Sequence, residues 1–122
     1  MRISRQASLK KFNTFNVSEN ADVIYEVEDI SMLKNIVSDN NQILILGGGS
    51  NILFTKSYKG AIINLRNKGM KVLEEDKDTV LIDVCSGETW NDFVLWAIDN
   101  NYGGIENLSL IPGHVGAAPI QT

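Results

Sequence analysis

No apolar run in this 122-residue sequence approaches the roughly 18 residues that a membrane-spanning helix requires. The amino terminus lacks the apolar core of a signal peptide, since Met1 to Lys11 is polar and basic with only Ile3, Ala7 and Leu9 as interruptions. There is a single cysteine, Cys85, which excludes an internal disulfide and fits a reducing compartment. Clustered lysine and arginine are also missing. With a net charge of −4 and a pI near 4.9, a nucleic-acid surface is not expected. What remains is a hydrophobic fraction of 43%, enough for a packed core. At this length the chain fits one small domain or a piece of a larger one. The expectation is a soluble, cytoplasmic α/β chain.

The most informative stretch runs from Gln42 to Phe54. Ile43, Leu44, Ile45 and Leu46 form a short apolar run of the kind a fully buried strand uses. It breaks on Gly47, Gly48 and Gly49, followed by Ser50 and Asn51, before apolar residues resume at Ile52, Leu53 and Phe54. Glycine tolerates positive φ and close approach of other groups to the backbone. Successive N–H groups in such a turn form an anion-binding nest, and Ser50 and Asn51 add side-chain donors. The physical reading is a phosphate-binding loop hung from a strand. A tight turn between two buried strands is the plainer alternative. A P-loop is excluded because Ser50 and Asn51, rather than Lys and Ser/Thr, follow Gly49. A Rossmann fingerprint is excluded because Ile52 stands where its third glycine belongs.

Around this stretch the patterning alternates. Met1 to Lys11 reads as an arm, and Phe12 to Val17 as extended chain. Val23 to Val27 is strand-like. Asp29 or Ser31 is placed to cap a helix carrying Ile30, Leu33, Ile36 and Val37 on one face, ended by Asp39-Asn40-Asn41. Strand, helix and strand are then complete within a βαβ length. Ala61 to Leu65 reads as another buried strand. Met70–Glu74 and Val80–Cys85 flank a polar turn, which predicts a hairpin. Glu74, Glu75 and Asp76 are read as part of that solvated turn rather than as a metal site. Thr89 is the predicted N-cap of a helix from Trp90 to about Asn100, with Trp90, Phe93, Val94 and Ala97 facing the core and Trp96 elsewhere on the wheel.

The carboxy-terminal stretch is the second informative one. Glu106 or Asn107 is expected to start a short helical turn that Pro112 and Gly113 end. Gly116, Ala117 and Ala118 form a run of minimal side chains. Such residues let a flat ligand lie against the backbone or let two backbones pack closely, and the sequence alone leaves both open. The chain then stops at Pro119, Ile120, Gln121 and Thr122 without a cap or polar tail, which reads as an abrupt ending.

Four motifs occur in one order: Asn13-Thr14-Phe15, Ile45 to Leu53, Gly87-Glu88-x-Trp90, and Glu106 to Gln121 with its Ile-Pro-Gly-x-Val-Gly-Ala-Ala-Pro-Ile-Gln core. Together they closely resemble the amino-terminal part of the UDP-N-acetylenolpyruvoylglucosamine reductase family, flavoenzymes of peptidoglycan precursor synthesis. The resemblance covers nearly the whole chain from about Leu9 onward. It implies the α/β (α+β) FAD-binding fold of vanillyl-alcohol-oxidase-like (PCMH-type) flavoproteins, in which two subdomains hold FAD and a third domain covers the sugar nucleotide. By that analogy residues 1–66 are the first FAD-binding subdomain and residues 67–122 the start of the second.

The same resemblance places Gly47, Gly48, Gly49, Ser50 and Asn51 at the FAD pyrophosphate and counts Ile45, Leu46, Ile52 and Leu53 beside them as cofactor-binding. It places Ile111, Pro112, Gly113, Gly116, Ala117, Ala118, Pro119, Ile120 and Gln121 along the cofactor. It further implies non-covalent FAD, NADPH as hydride donor and a UDP-sugar substrate. In the family's reaction hydride passes from NADPH to the flavin and then to the enolpyruvyl double bond; a serine, assisted by an arginine and a glutamate, protonates the resulting enol. Those acid–base residues lie beyond the Pro-Ile-Gln motif, so none is assigned here, and Ser50, Ser86 and Ser109 are not put in their place. Cys85 reads as a small core residue and His114 as a loop residue, not as flavin attachment points. The expectation is a truncated reductase, inactive alone. A non-catalytic FAD-binding fragment and an FAD subdomain of another PCMH-type oxidoreductase remain as alternatives.

Overall fold

The computed structural model describes residues 1–120. The chain divides into two compact units, Met1–Asn67 and Lys68–Thr122.

In the first unit, two strands rich in β-branched residues make the centre of a four-stranded sheet. They are β2 (Asn20–Val27) and β4 (Tyr58–Leu65), which run parallel. Strand β1 (Arg2–Ser8) pairs antiparallel with β2, and β3 (Ile43–Leu46) pairs parallel with β4, giving the order β1-β2-β4-β3. The two strands of the βαβ segment therefore do not touch; β4 lies between them. Because side chains alternate along a strand, the central pair feeds two cores. Ile24 and Ile62 pack with Leu9, Phe12, Leu46 and Phe54 on one face. Val23, Tyr25, Val27, Ala61 and Ile63 pack with Ile36 on the other. A register irregularity between Ala21 and Val23 shifts the alternation, which puts Ala21 in the same cluster as Ile24.

Three expectations for this unit need correction. Met1 to Lys11 is not an arm, because residues 2–8 form β1. Backbone pairing rather than side-chain burial holds this edge strand, and Ile3 stays 46% exposed. Phe12 to Val17 is not extended. Lys10–Phe12 makes a 3-10 turn, and Asn13 ties the next residues into a loop through bonds to Leu9 O, Val17 O and Val17 N. Finally, β3 is not fully buried: it is the other edge strand, with Leu46 in the core but Ile45 62% exposed.

The predicted helix is shorter and less amphipathic than its spacing implies. The Asp29 carboxylate accepts from Ser31 N at 2.9 Å and caps a 3-10 turn over Ile30–Met32, which runs into α1 (Leu33–Asp39). Only Ile36 is buried there, while Ile30 and Val37 remain exposed. Asn40 ends the helix by donating to Ile36 O at 2.8 Å.

The second unit opens with the predicted hairpin, β5 (Met70–Glu75) and β6 (Val80–Val84). Asp76 organises its turn by accepting from Asp78 N and Thr79 N, both at 2.8 Å. Helix α2 (Trp90–Asp99) starts at Thr89, whose hydroxyl accepts from Asp92 N at 3.3 Å. Val94 and Ala97 are its buried residues. Trp96 stacks on Phe93 and meets Tyr102 at 5.7 Å between ring centres, so it extends an aromatic row along the helix. The carboxy-terminal stretch contains 3-10 turns at Glu106–Leu108 and Val115–Ala117. The first of these ends at Ser109, before Pro112 and Gly113 are reached.

No helix among the described residues is long and apolar enough to cross a membrane.

Candidate functional site

Strands β2, β4 and β3 are parallel, so their carboxyl ends share one edge of the sheet. In open parallel sheets this edge is where ligands bind. The glycine loop hangs from it, directly after Leu46. Gly49 has φ +69°, and a Cβ built on it would stand 1.9 Å from Phe12 O and 2.8 Å from Asn13 Cα. Only glycine meets both demands, the left-handed conformation and the near-contact with the Phe12–Asn13 backbone.

That near-contact gives the Asn13-Thr14-Phe15 motif a physical role. Thr14 donates to Gly49 O from its backbone N–H at 3.0 Å and from its hydroxyl at 3.4 Å. Asn64, near the end of β4, donates its side-chain amide to Leu46 O and to Gly47 O, each at 3.0 Å. The carbonyls of Leu46, Gly47 and Gly49 are thus all bonded to protein. Among the described residues, none of the backbone N–H groups from Gly47 to Asn51 donates a hydrogen bond. A turn whose carbonyls are tied inward and whose N–H groups are left over presents donors to an anion. Asn51 is exposed and Ser50 half-buried at the same place. This donor set fits a diphosphate such as that of FAD. Sequence reasoning passed over Asn64; a polar residue ending the apolar run Ala61–Ile63 was the available signal.

The remaining residues of the loop divide between core and surface. Leu46 and Ile52 pack in the first core cluster. Ile45 and Leu53 are 62% and 61% exposed.

In the second unit, the residues of Gly87-Glu88-x-Trp90 fix the carboxy-terminal stretch. Trp90 donates from its backbone to Gly113 O at 2.9 Å and from its indole to Leu108 O at 2.9 Å. Asn91 accepts from Leu110 N at 2.7 Å, holding Leu110 at φ +64°. Glu88 O accepts from Val115 N at 2.8 Å, and Ser86 O accepts from Gly116 N at 3.0 Å. The buried Glu88 carboxylate accepts from Gly69 N at 3.0 Å. Hydrogen bonds from the N–H groups of Glu106 and Gly104 hold the Glu106 carboxyl below its usual range.

Gly116 takes one of the two uses open to this small-residue run. A Cβ there would meet Ser86 Cβ at 2.7 Å and Ser86 O at 3.2 Å, so this glycine serves backbone-on-backbone packing. Ala117 and Ala118 continue as a 3-10 turn and are half-buried, whereas Ile111, Pro112, Pro119 and Ile120 are exposed. Gln121, the last of the sequence-predicted positions, lies outside the described residues. Cys85 is half-buried beside Gly69, and His114 pairs through its backbone with Thr89.

A family model described as "FAD binding domain" matches residues 21–122. The UDP-N-acetylenolpyruvoylglucosamine reductase of Flavobacterium johnsoniae is 46% identical over 99% of this chain and 36% of its own length. The enzyme of that name from Pseudomonas putida is 38% identical over 95% of this chain and 35% of its own length. Among solved structures, UDP-N-acetylenolpyruvylglucosamine reductase (MurB) from Thermus caldophilus superposes with a TM-score of 0.74 at 26% identity, covering 97% of this chain and 41% of that one. The chain therefore spans little more than a third of the length of the curated relatives it matches. It is a member of the FAD-binding-domain family, with the mixed α/β fold of that family, and within it resembles the UDP-N-acetylenolpyruvoylglucosamine reductases.

Proposed function

We propose that this chain is the FAD-holding portion of a cytoplasmic UDP-N-acetylenolpyruvoylglucosamine reductase. The observation that carries the reading is the glycine loop. Its carbonyls are bound by Thr14 and Asn64 and its N–H groups are left to meet an anion. Residues 1–66 form the first FAD-binding subdomain, in which Gly47 to Asn51 bind the diphosphate. Residues 67–122 begin the second, in which Ile111 to Gly113 and Gly116 to Ile120 run along the cofactor. FAD, held without a covalent bond, supplies the hydride chemistry of such an enzyme. The chain's own part is to bind and orient it. In the whole reductase NADPH is the hydride donor and the enolpyruvyl ether of UDP-N-acetylglucosamine the acceptor. No described residue is assigned a proton-transfer role.

Titration of the purified chain with FAD, followed by quenching of flavin fluorescence, tests the reading. Saturable quenching that free ADP competes away is the expected result, and no saturable binding overturns it. The reductase activity is tested separately, as NADPH oxidation dependent on the enolpyruvyl sugar nucleotide by a protein carrying this segment together with the rest of the family's length.

A further inference from the structure

Asn64 is 5% exposed and sits on β4 at the register position between Glu26 of β2 and Leu46 of β3. Its neighbours earlier in the strand, Ala61, Ile62 and Ile63, are fully buried and apolar. A buried amide in such a place needs its hydrogen bonds met, and this one meets them on two successive carbonyls at the start of the glycine loop. A peptide whose carbonyl oxygen is pulled one way turns its N–H the other way, because the peptide unit is planar and trans. Fixing Leu46 O and Gly47 O therefore fixes the directions of Gly47 N–H and Gly48 N–H. Thr14 does the same for the next part of the loop through Gly49 O, which sets Ser50 N–H.

We propose that Asn64 is a positioning residue for diphosphate binding, with Thr14 as its counterpart across the loop. The inference rests on the FAD reading above and extends it to a residue outside the loop, which acts through the carbonyls of Leu46 and Gly47. It acts by removing the cost of orienting the loop's N–H groups when the anion arrives. Without the amide, the Leu46 and Gly47 carbonyls lose this donor and the loop samples other orientations of its N–H groups.

The test compares ADP with adenosine, which differ only in the diphosphate, on the full chain and its variants by titration calorimetry or amide chemical shifts. The unsubstituted chain is expected to bind ADP more tightly than adenosine. In Asn64→Ala the ADP affinity should fall by roughly tenfold while adenosine affinity is kept, so that the preference for ADP collapses. A general structural lesion lowers both affinities together, and that result overturns the inference. So does an unchanged ADP preference. If Asn64→Ala fails to fold, Thr14→Val decides. It keeps the shape and backbone N–H of Thr14 but removes the hydroxyl, and should lower the ADP preference by about two- to threefold, with Thr14→Ser restoring it. No loss in Thr14→Val overturns the inference. Should the unsubstituted chain bind neither ADP nor FAD, the FAD reading itself falls and this inference with it. ADP binding that is indifferent to both substitutions removes only the inference.

Discussion

Gly116 and Ser86 approach so closely that a Cβ on the glycine would stand 2.7 Å from Ser86 Cβ. The contact is reinforced by the bond from Gly116 N to Ser86 O at 3.0 Å. Gly116→Ala must push two backbones apart and is expected to destabilise the second unit by about 1–3 kcal/mol. Gly103 is the internal control, because an added Cβ there meets nothing within 4 Å. Gly103→Ala should be neutral, or stabilise by about 0.5 kcal/mol through the unfolded chain. Urea unfolding of the two variants checks the contrast; equal midpoints would show that the Gly116 contact is not tight.

The corresponding substitution in the first unit is more severe. Gly49→Ala meets Phe12 O at 1.9 Å and must also hold φ +69°. The conformational term alone is about 1–2 kcal/mol, and the backbone clash adds to it. The expected result is a fall of more than about 2 kcal/mol in stability, together with loss of ADP binding. Trp90 and Trp96 both belong to the second unit, so tryptophan fluorescence does not report directly on the first. Amide exchange of β2 and β4 is the appropriate readout.

Those two glycines show what the sequence makes legible. A glycine run after an apolar strand announces a special backbone, while the family resemblance rests on four motifs in one order. The direction in which a small residue faces is another matter. Gly116 packs on Ser86, yet Gly116-Ala117-Ala118 as letters fits a ligand equally well. The edge strand β1 is missed for a related reason: it buries almost nothing, so its residues carry no apolar alternation to read, and its ladder to β2 is visible only in three dimensions. Asn64 is hidden in the opposite way. It lies in a strand read correctly, but its function depends on carbonyls 17 and 18 residues away.

Glu26 sits opposite Arg2 and next to the Asn64 register position, and its buried carboxylate accepts from Arg66 Nη1 at 2.9 Å. Arg2 Nε is farther, at 3.6 Å, and its side chain is 69% exposed against 53% for Arg66. Solvent screens both pairs, so neither approaches the worth of a fully buried bridge. Arg66→Ala, which removes the shorter bond from a buried acceptor, should cost about 1 kcal/mol. Arg2→Ala should cost only a few tenths, about 0.3 kcal/mol. Thermal unfolding at low and high salt checks both the order and the expected weakening of the Arg66 effect by salt.

The turn of the β5–β6 hairpin gives a prediction about pH. Bonds from Asp78 N–H, then Thr79 N–H, hold the Asp76 carboxyl below its usual value, and the Thr79 hydroxyl lies within reach of the same group. A carboxyl whose pKa is lower in the folded turn than in the open chain favours folding while it is ionised. Its contribution is complete above the ordinary aspartate range and disappears as pH falls through the lowered value. The hairpin should therefore loosen only under acid conditions and stay unaffected around neutrality. In a pH titration by NMR, the Thr79 amide should shift with the Asp76 carboxyl at a midpoint below that of an unstructured aspartate. Asp76→Asn keeps an acceptor but not the charge, so the acid step at Thr79 should vanish while the turn persists. A midpoint at or above the ordinary value would mean that the two N–H bonds do not stabilise the ionised form.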